Sequence, residues 1–517
     1  MSEEKLTNNT VEVHNSGTSS DKHQPEEESH YTGPLRWYDK KIVSFLPAYS
    51  ESMVQIVMLA FTCFMLPGMY NALSGVGGAG ISLSVSNNSS VSLYSTFCGY
   101  GFFAGWVCNI IGTKFSLMFG GVGYVIYSGS LLYYTKHSFT NADGVVEDYG
   151  GAAAFVVAAG AILGVCAGQL WAAQTSIIIS YPAEHLKGKA IMTFWVIFNL
   201  GAVIGSAISL GNNMKNNSSV ATDGTYAAFI ALMCSGIIIA GCTLRPHQVW
   251  RGGVGSERVV QQQFPHWKVE LINMAKMLYK EPKIYFLFPM FFASNWFYTY
   301  QFNDVNAARF TIRTRSLNSL LYWAAQMVGA AIFGNILDWK RFDRKTRVKI
   351  GWSIIMVLTF VIWGGGYDFQ KKYTRESVAG MALIDFKKGS TYVGPMFLYI
   401  FYGMYDAMFQ TFIYYTLGAM SNNPKKNAIY GAFFKSIQSA GAAIMWRLDY
   451  YEVPYMSMFA SSWGLCAGAL VLASPLIFFK ISNHTEDAED DLQGELLNRG
   501  LEISKSISQP EPKNPEV

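Results

Sequence analysis

VGPMFLYIFYGMYDAMFQTFIYYTLGAMSNNPKKNAIYGAFFKSIQSAGAAIMWRLDY, from Val393 to Tyr450, decides the fold of this 517-residue chain. Two apolar runs, each long enough to cross a hydrocarbon core of about 30 Å, meet at a short basic turn, Asn422 to Asn427. Asp406 and Gln410 sit inside the first run, Lys435 and Gln438 inside the second, all far from the ends. A carboxylate or ammonium at membrane depth costs about 2.5–3.5 kcal/mol even on a lenient insertion scale. Such residues persist where they face a partner or a wet cavity. Spacings of four and three put each pair on one helix face. Counted at 1.5 Å per residue from the turn, Gln410 and Lys435 reach nearly the same depth, about 12–14 Å. Asp406 then lies one turn deeper, near Gln438 and within reach of the lysine. Two readings follow: a structural Asp–Lys tie between neighbouring helices, or a polar site lining a pathway.

The composition is that of a membrane protein: 51% hydrophobic and 14% charged, against about 25% charged in soluble chains. A formal charge of +4 is too small to imply a nucleic-acid partner. The seven cysteines lie in or beside apolar runs with no CxxC or Cys/His cluster, so neither a disulfide framework nor a metal site is supported. No cofactor motif and no nucleophile–base pair stands out, so an enzyme is not expected. The GVGGAG run after Asn71 lacks the Lys-Ser/Thr ending of a phosphate loop.

Residues 1–50 read as a polar, disordered tail followed by an interfacial segment at Trp37 and Tyr38, with Arg36, Lys40 and Lys41 arguing for a cytoplasmic N-terminus. Six spans are expected in 51–244 and six more in 284–480. They are joined by a cytoplasmic linker, 245–283, whose Trp267, Leu271, Met274 and Leu278 form an amphipathic stripe. Residues 481–517 read as an acidic, solvated cytoplasmic tail. The fold class is therefore all-α and polytopic, about 12 transmembrane helices in two six-helix bundles. Lys and Arg recur in the loops assigned inside; Arg309, Arg313 and Arg315 fall in one assigned outside and find no ready explanation. Asn87, Asn88, Asn216 and Asn217 begin Asn-x-Ser/Thr triplets in loops assigned outside, which makes them glycosylation candidates.

PGMYNALSGVGGAG (Pro67 to Gly80), DAMFQT (Asp406 to Thr411), GAMSNN and KSIQSAGAAIMWRLD (Lys435 to Asp449) resemble the fungal branch of the Unc-ninety-three-like family, a divergent part of the major facilitator superfamily. The resemblance runs from about Trp37 to Lys480. The superfamily pattern implies a conformational latch between spans two and three of each half. Gly105, Asn109, Gly112 and Lys114 fill that frame in the first half, with Asn in place of the acid. Gly334 and Asp338, with Lys340 and Arg341 nearby, fill it in the second. An acid there holds a neighbouring helix and helps set the balance between inward- and outward-facing states.

Asn71, Gln169, Gln174 and Asn199 complete the substrate or coupling candidates, although amides in spans more often bond helix to helix. Gly160, Gly164 and Gly168 read as a small-residue packing face. The functional expectation is a secondary transporter of an unidentified small solute, working by alternating access, with Asp406 as the candidate for proton coupling. The alternative is a non-transporting regulatory or escort subunit, as the animal relatives of the resembled family imply. Its partners are then the bilayer and either a solute or a membrane protein, in the plasma membrane or an endomembrane.

Overall fold

The apolar runs become helices in a computed structural model that describes residues 35–41, 46–75, 81–140, 146–183, 186–214, 223–259, 272, 275–276, 278–421 and 424–483. The first run is α1 (Ser52–Met65) and α2 (Pro67–Gly75), broken where proline cannot continue the hydrogen-bond ladder. There follow α3 (Leu83–Ile111), α4 (Thr113–His137), α5 (Ala152–Ser180), α6 (Lys187–Asn213) and α7 (Asp223–Cys242). The second set opens with an irregular span: a 3₁₀ segment Pro282–Leu287, α8 (Phe288–Ala293) and a π-helical stretch Tyr300–Ala307. After it run α9 (Ile312–Leu337), α10 (Arg344–Gln370), α11 (Gly389–Met420), α12 (Pro424–Tyr450) and α13 (Tyr455–Pro475). A small antiparallel hairpin, Ser138–Thr140 with Val146–Asp148, follows α4.

Among the described residues, seven helical runs, α1 with α2 taken as one, are long and apolar enough to cross a membrane, and Tyr226–Cys242 is a shorter apolar one. The remaining spans are α3, with its polar start LSVSNNSS, α11, which holds Asp406 and Gln410, α12, which holds Lys435 and Gln438, and the irregular one, which is broken into short segments. Each half has its own core. One gathers Leu59, Leu117, Leu163 and Phe229, the other Phe291, Trp363, Phe412 and Leu470. Gly160 and Gly164 let α5 approach α3 so closely that a methyl group at Gly164 would run into the Leu93 carbonyl. Gly112, at φ +84°, turns the chain from α3 into α4, a conformation that favours glycine.

The segments flanking the first half clasp each other on one face, here the terminal face. Trp250 donates its backbone N–H to Ser50 O (2.8 Å) and accepts from Ser52 N (2.9 Å). Its indole donates to Asp39 Oδ1 at 2.7 Å, and Arg258 pairs with Asp39 Oδ2 at 3.2 Å while stacking over the Trp250 ring. Burial pushes the Asp39 carboxyl up, but bonds from the Arg36 N–H and Trp250 and the Arg258 charge hold it below its ordinary value. A depressed carboxyl contributes stability above its unfolded pKa and loses it as pH falls through the folded one, so the clasp is firm at neutral pH and loosens only in acid. Losing these charge-assisted bonds costs about 1.5–3 kcal/mol. Asp39→Ala is therefore expected to raise tryptic cleavage between Arg251 and Arg258 by about tenfold or more. An unchanged rate would mean the clasp is held by the backbone bonds alone. Of the amphipathic stripe in the linker, Trp267, Leu271 and Met274 lie outside the described residues.

Candidate functional site

Between the halves lies a cavity of about 100 Å³ with walls from both. The first half contributes Tyr70, Asn71, Trp171 and Trp195, and the second Asn295, Tyr298, Trp323 and Gln326, with Gln410, Lys435 and Gln438 along one side. On the opposite, far-face side of the cavity, the halves are tied by hydrogen bonds: Ser206 Oγ to Ser319 Oγ (2.9 Å), Ser209 Oγ to Ser316 Oγ (3.1 Å) and Asn306 Nδ2 to Gly75 O (2.9 Å). Toward the terminal face they meet through aromatic edges, Phe102 on Phe433 and Trp195 on Tyr414.

Asp406, fully buried, stands just behind the cavity wall. Its Oδ2 accepts from the Tyr298 hydroxyl (2.8 Å) and Gln326 Nε2 (2.5 Å), and also from the Tyr322 hydroxyl (3.2 Å), which is shared with Gln301 Oε1. Its Oδ1 accepts from Gln410 Nε2 at 2.7 Å. A buried carboxylate is tolerable only when so satisfied.

Asp406 and Lys435 do not touch. Lys435 Nζ donates to Gln438 Oε1 (3.0 Å), Gln438 Nε2 donates to Gln410 Oε1 (3.4 Å) and to Ser294 Oγ (2.8 Å), and Gln410 closes the line to Asp406. The sequence depth estimate set Gln410 level with Lys435. In the structure Gln410 bonds Gln438 instead, about one helical turn away, so two amides separate the charges. The ammonium rests among the rings of Phe434 (4.7 Å), Trp171 (4.9 Å) and Tyr414 (5.5 Å).

The other candidates divide. Asn71 lines the cavity. Gln169 ties helices within the first half, accepting from Tyr100 and donating to Ser116 Oγ, both at 2.7 Å. Gln174 is buried with Thr175 as its bonded neighbour, and Asn199 is buried with both amide atoms lacking a hydrogen-bond partner. In the first-half latch frame, Gly105, Asn109 and Gly112 run into the α3–α4 turn ahead of Lys114. In the second, Asp338 caps α9 after Gly334, ahead of Lys340 and Arg341, and Arg347 donates to the Leu337 carbonyl at 3.1 Å.

Two glycosylation candidates require correction. Asn87 and Asn88 are not in a loop, because α3 begins at Leu83. Asn87 is buried, and its Nδ2, the atom a glycan would join, donates to Asp449 Oδ2 at 2.9 Å. Asn88 Oδ1 accepts from Arg447 at 3.1 Å. Asn216 and Asn217 lie outside the described residues.

That buried Asn87 belongs to a network at the far face which sequence reasoning missed. Asp449 also accepts from Asn303 Nδ2 (2.8 Å) and pairs with Arg375 (2.6 Å), whose guanidinium reaches Asp304 Oδ1 at 3.4 Å. The same face explains one of the outside arginines: Arg313 pairs with Asp385, Nε to Oδ2 at 2.6 Å. Arg309 is buried beside the Tyr373 ring. Tyr298 and Tyr322, the hydroxyl donors to Asp406, were equally unforeseen, since tyrosine is common in spans and carries no spacing signal.

No family model matches the chain. An UNC93-like protein of Schizosaccharomyces pombe is 48% identical over 89% of this chain and 88% of its own length. UNC93-like protein 1 of Arabidopsis thaliana is 35% identical over 86% and 94% respectively. Among solved structures, a partially occluded inward-open xylose transporter from E. coli superposes with a TM-score of 0.55 at 14% identity, covering 84% of this chain and 98% of that one; at that identity the likeness shows the fold.

Proposed function

This chain belongs to the UNC93-like family, and on that premise we propose that it is a secondary transporter of a small solute, with Asp406 as the proton-coupling carboxylate. The observation that carries the reading is the amide line from Asp406 through Gln410 and Gln438 to the cavity lysine. A proton on Oδ1 turns that oxygen from acceptor to donor. Gln410 must then present its carbonyl to Asp406, which leaves its NH₂ facing Gln438. Gln438 in turn presents its carbonyl to Gln410 and withdraws it from Lys435. The protonation state of a sealed carboxylate thus reaches the solute cavity without a direct ion pair. The far-face hydrogen bonds and the cavity between the halves support alternating access around this point.

The Lys and Arg of the terminal face, Lys114, Arg245, Arg344 and Lys345 among them, favour placing that face and both termini in the cytoplasm. The regulator reading draws on Asn109, where the first-half frame lacks its acid. Proteoliposomes presented with a cell-extract metabolite pool under an inward acid gradient separate the two. A solute that accumulates only with the gradient supports transport. No accumulation, with a membrane protein copurifying in equal amount, would replace the transporter with the regulator.

A further inference from the structure

The cavity presents a one-sided charge. Asp406 is walled off by its donors Tyr298, Gln326 and Gln410, each spending a hydrogen on it. Lys435 is in the opposite condition. An ammonium carries three donors, and its bonded acceptor in the structure is Gln438 Oε1. The surrounding rings stabilise the charge without neutralising it or accepting its remaining hydrogens as a carboxylate would. No Asp or Glu lies on the cavity wall among the described residues. The wall also carries flat apolar faces, Trp195, Phe198 and Trp323, and the amides of Asn71 and Asn295.

We propose that this cavity binds a small organic monocarboxylate, its carboxylate on the Lys435 ammonium and its flat apolar body against the aromatic wall. The inference rests on the cavity being the solute site of the transport reading. A cation would sit beside an unneutralised ammonium. A neutral solute would leave that charge with no counter-charge nearer than Asp406, two amides away, in a site of restricted hydration. The volume of about 100 Å³ is smaller than the roughly 150 Å³ of an engineered cavity that takes benzene, so a single small ring is the upper limit for the solute body.

Benzoate, benzamide and benzamidine share one planar body and differ in charge, so their binding to the purified full-length protein by calorimetry reads the site directly. Benzoate is expected to bind at least about tenfold tighter than benzamide, a single charge-assisted hydrogen bond being worth about 10- to 100-fold, and benzamidine not to bind. Lys435→Met should erase the preference for benzoate over benzamide, and Lys435→Arg should keep it. Equal binding of benzamide or benzamidine, or binding of none of the three, overturns the proposal; the unmodified protein decides this even where a variant fails to fold. The two readings fail separately. Benzoate binding without gradient-driven flux of any solute sinks the transporter and leaves the anion site. Gradient-driven flux of a neutral solute without benzoate binding sinks the anion site and leaves the transporter.

Discussion

Asp406→Asn is expected to yield folded protein that has lost gradient-driven accumulation entirely, whereas Asp406→Ala is expected to lose much of the folded protein itself. The two differ in what they leave facing the donors. With alanine, the Tyr298 hydroxyl and the amides of Gln326 and Gln410 lose their acceptor inside a sealed site, at about 1–3 kcal/mol for each donor left unsatisfied. With asparagine, the carbonyl takes the Oδ2 position and satisfies Tyr298 and Gln326. The NH₂ then falls opposite Gln410 Nε2, now 2.7 Å from Oδ1, and forces the amide reversal that a proton on Asp406 would cause. The variant is fixed in the protonated arrangement and has no group left to titrate. Size-exclusion profiles of the solubilised variants, beside flux with and without the acid gradient, check both halves of the expectation. Gradient-dependent flux surviving in Asp406→Asn would remove this carboxylate from the coupling role.

The amide line also changes what a second substitution can do. Were Asp406 and Lys435 in contact, Lys435→Met would strand a buried charge and Asp406→Asn would restore the balance. With Gln410 and Gln438 between them, each charge has its own hydrogen-bond partners. The double variant should then recover little of whatever folded protein Lys435→Met loses. Full recovery would argue for an electrostatic pair acting through space.

What the sequence disclosed follows from the cost of polarity in a bilayer. Asp406, Gln410, Lys435 and Gln438 were legible as a group because each breaks an apolar run at a spacing that shares a face. The two-bundle fold was legible because runs, turns and basic loops alternate. Asn87 was misread for the same reason in reverse. The start of α3, LSVSNNSSVS, is too polar to pass as a span, yet its Ser and Asn side chains are satisfied by other helices: Ser89 by the Val156 carbonyl, Asn87 by Asp449. Hydropathy measures what a residue would lose to lipid, and these residues never meet lipid. Arg313 with Asp385, and Arg375 with Asp449, pair across 72 and 74 positions, a closeness that only the folded loops create.

Arg375→Ala is expected to have the largest effect of any substitution at the far face. The guanidinium, 14% exposed, is the cation between Asp449 and Asp304, whose side chains are 0% and 1% exposed. Removing one partner of a buried ion pair costs about 3–5 kcal/mol, and here two carboxylates share the loss. The consequence reaches the other half, because the oxygen of Asp449 opposite Arg375 holds Asn87 of α3 and Asn303. An Asp449 no longer anchored by Arg375 loosens a tie between the bundles. Arg375→Ala should therefore lower folded yield severely and, in the protein that survives, raise the reaction of a cysteine placed at Asn88 with an impermeant thiol reagent. Arg375→Lys should recover the charge but not the geometry, since the guanidinium also donates Nε to the Val453 carbonyl at 2.7 Å and a lysine cannot span both. Adding Asp449→Asn to Arg375→Ala should restore part of the yield by removing one stranded charge, while its amide oxygen keeps an acceptor for Asn87. If Arg375→Ala matches the unmodified protein in both yield and cysteine reactivity, the far face is sealed by the serine pairs, Ser206 with Ser319 and Ser209 with Ser316, and the buried charges serve something other than closure.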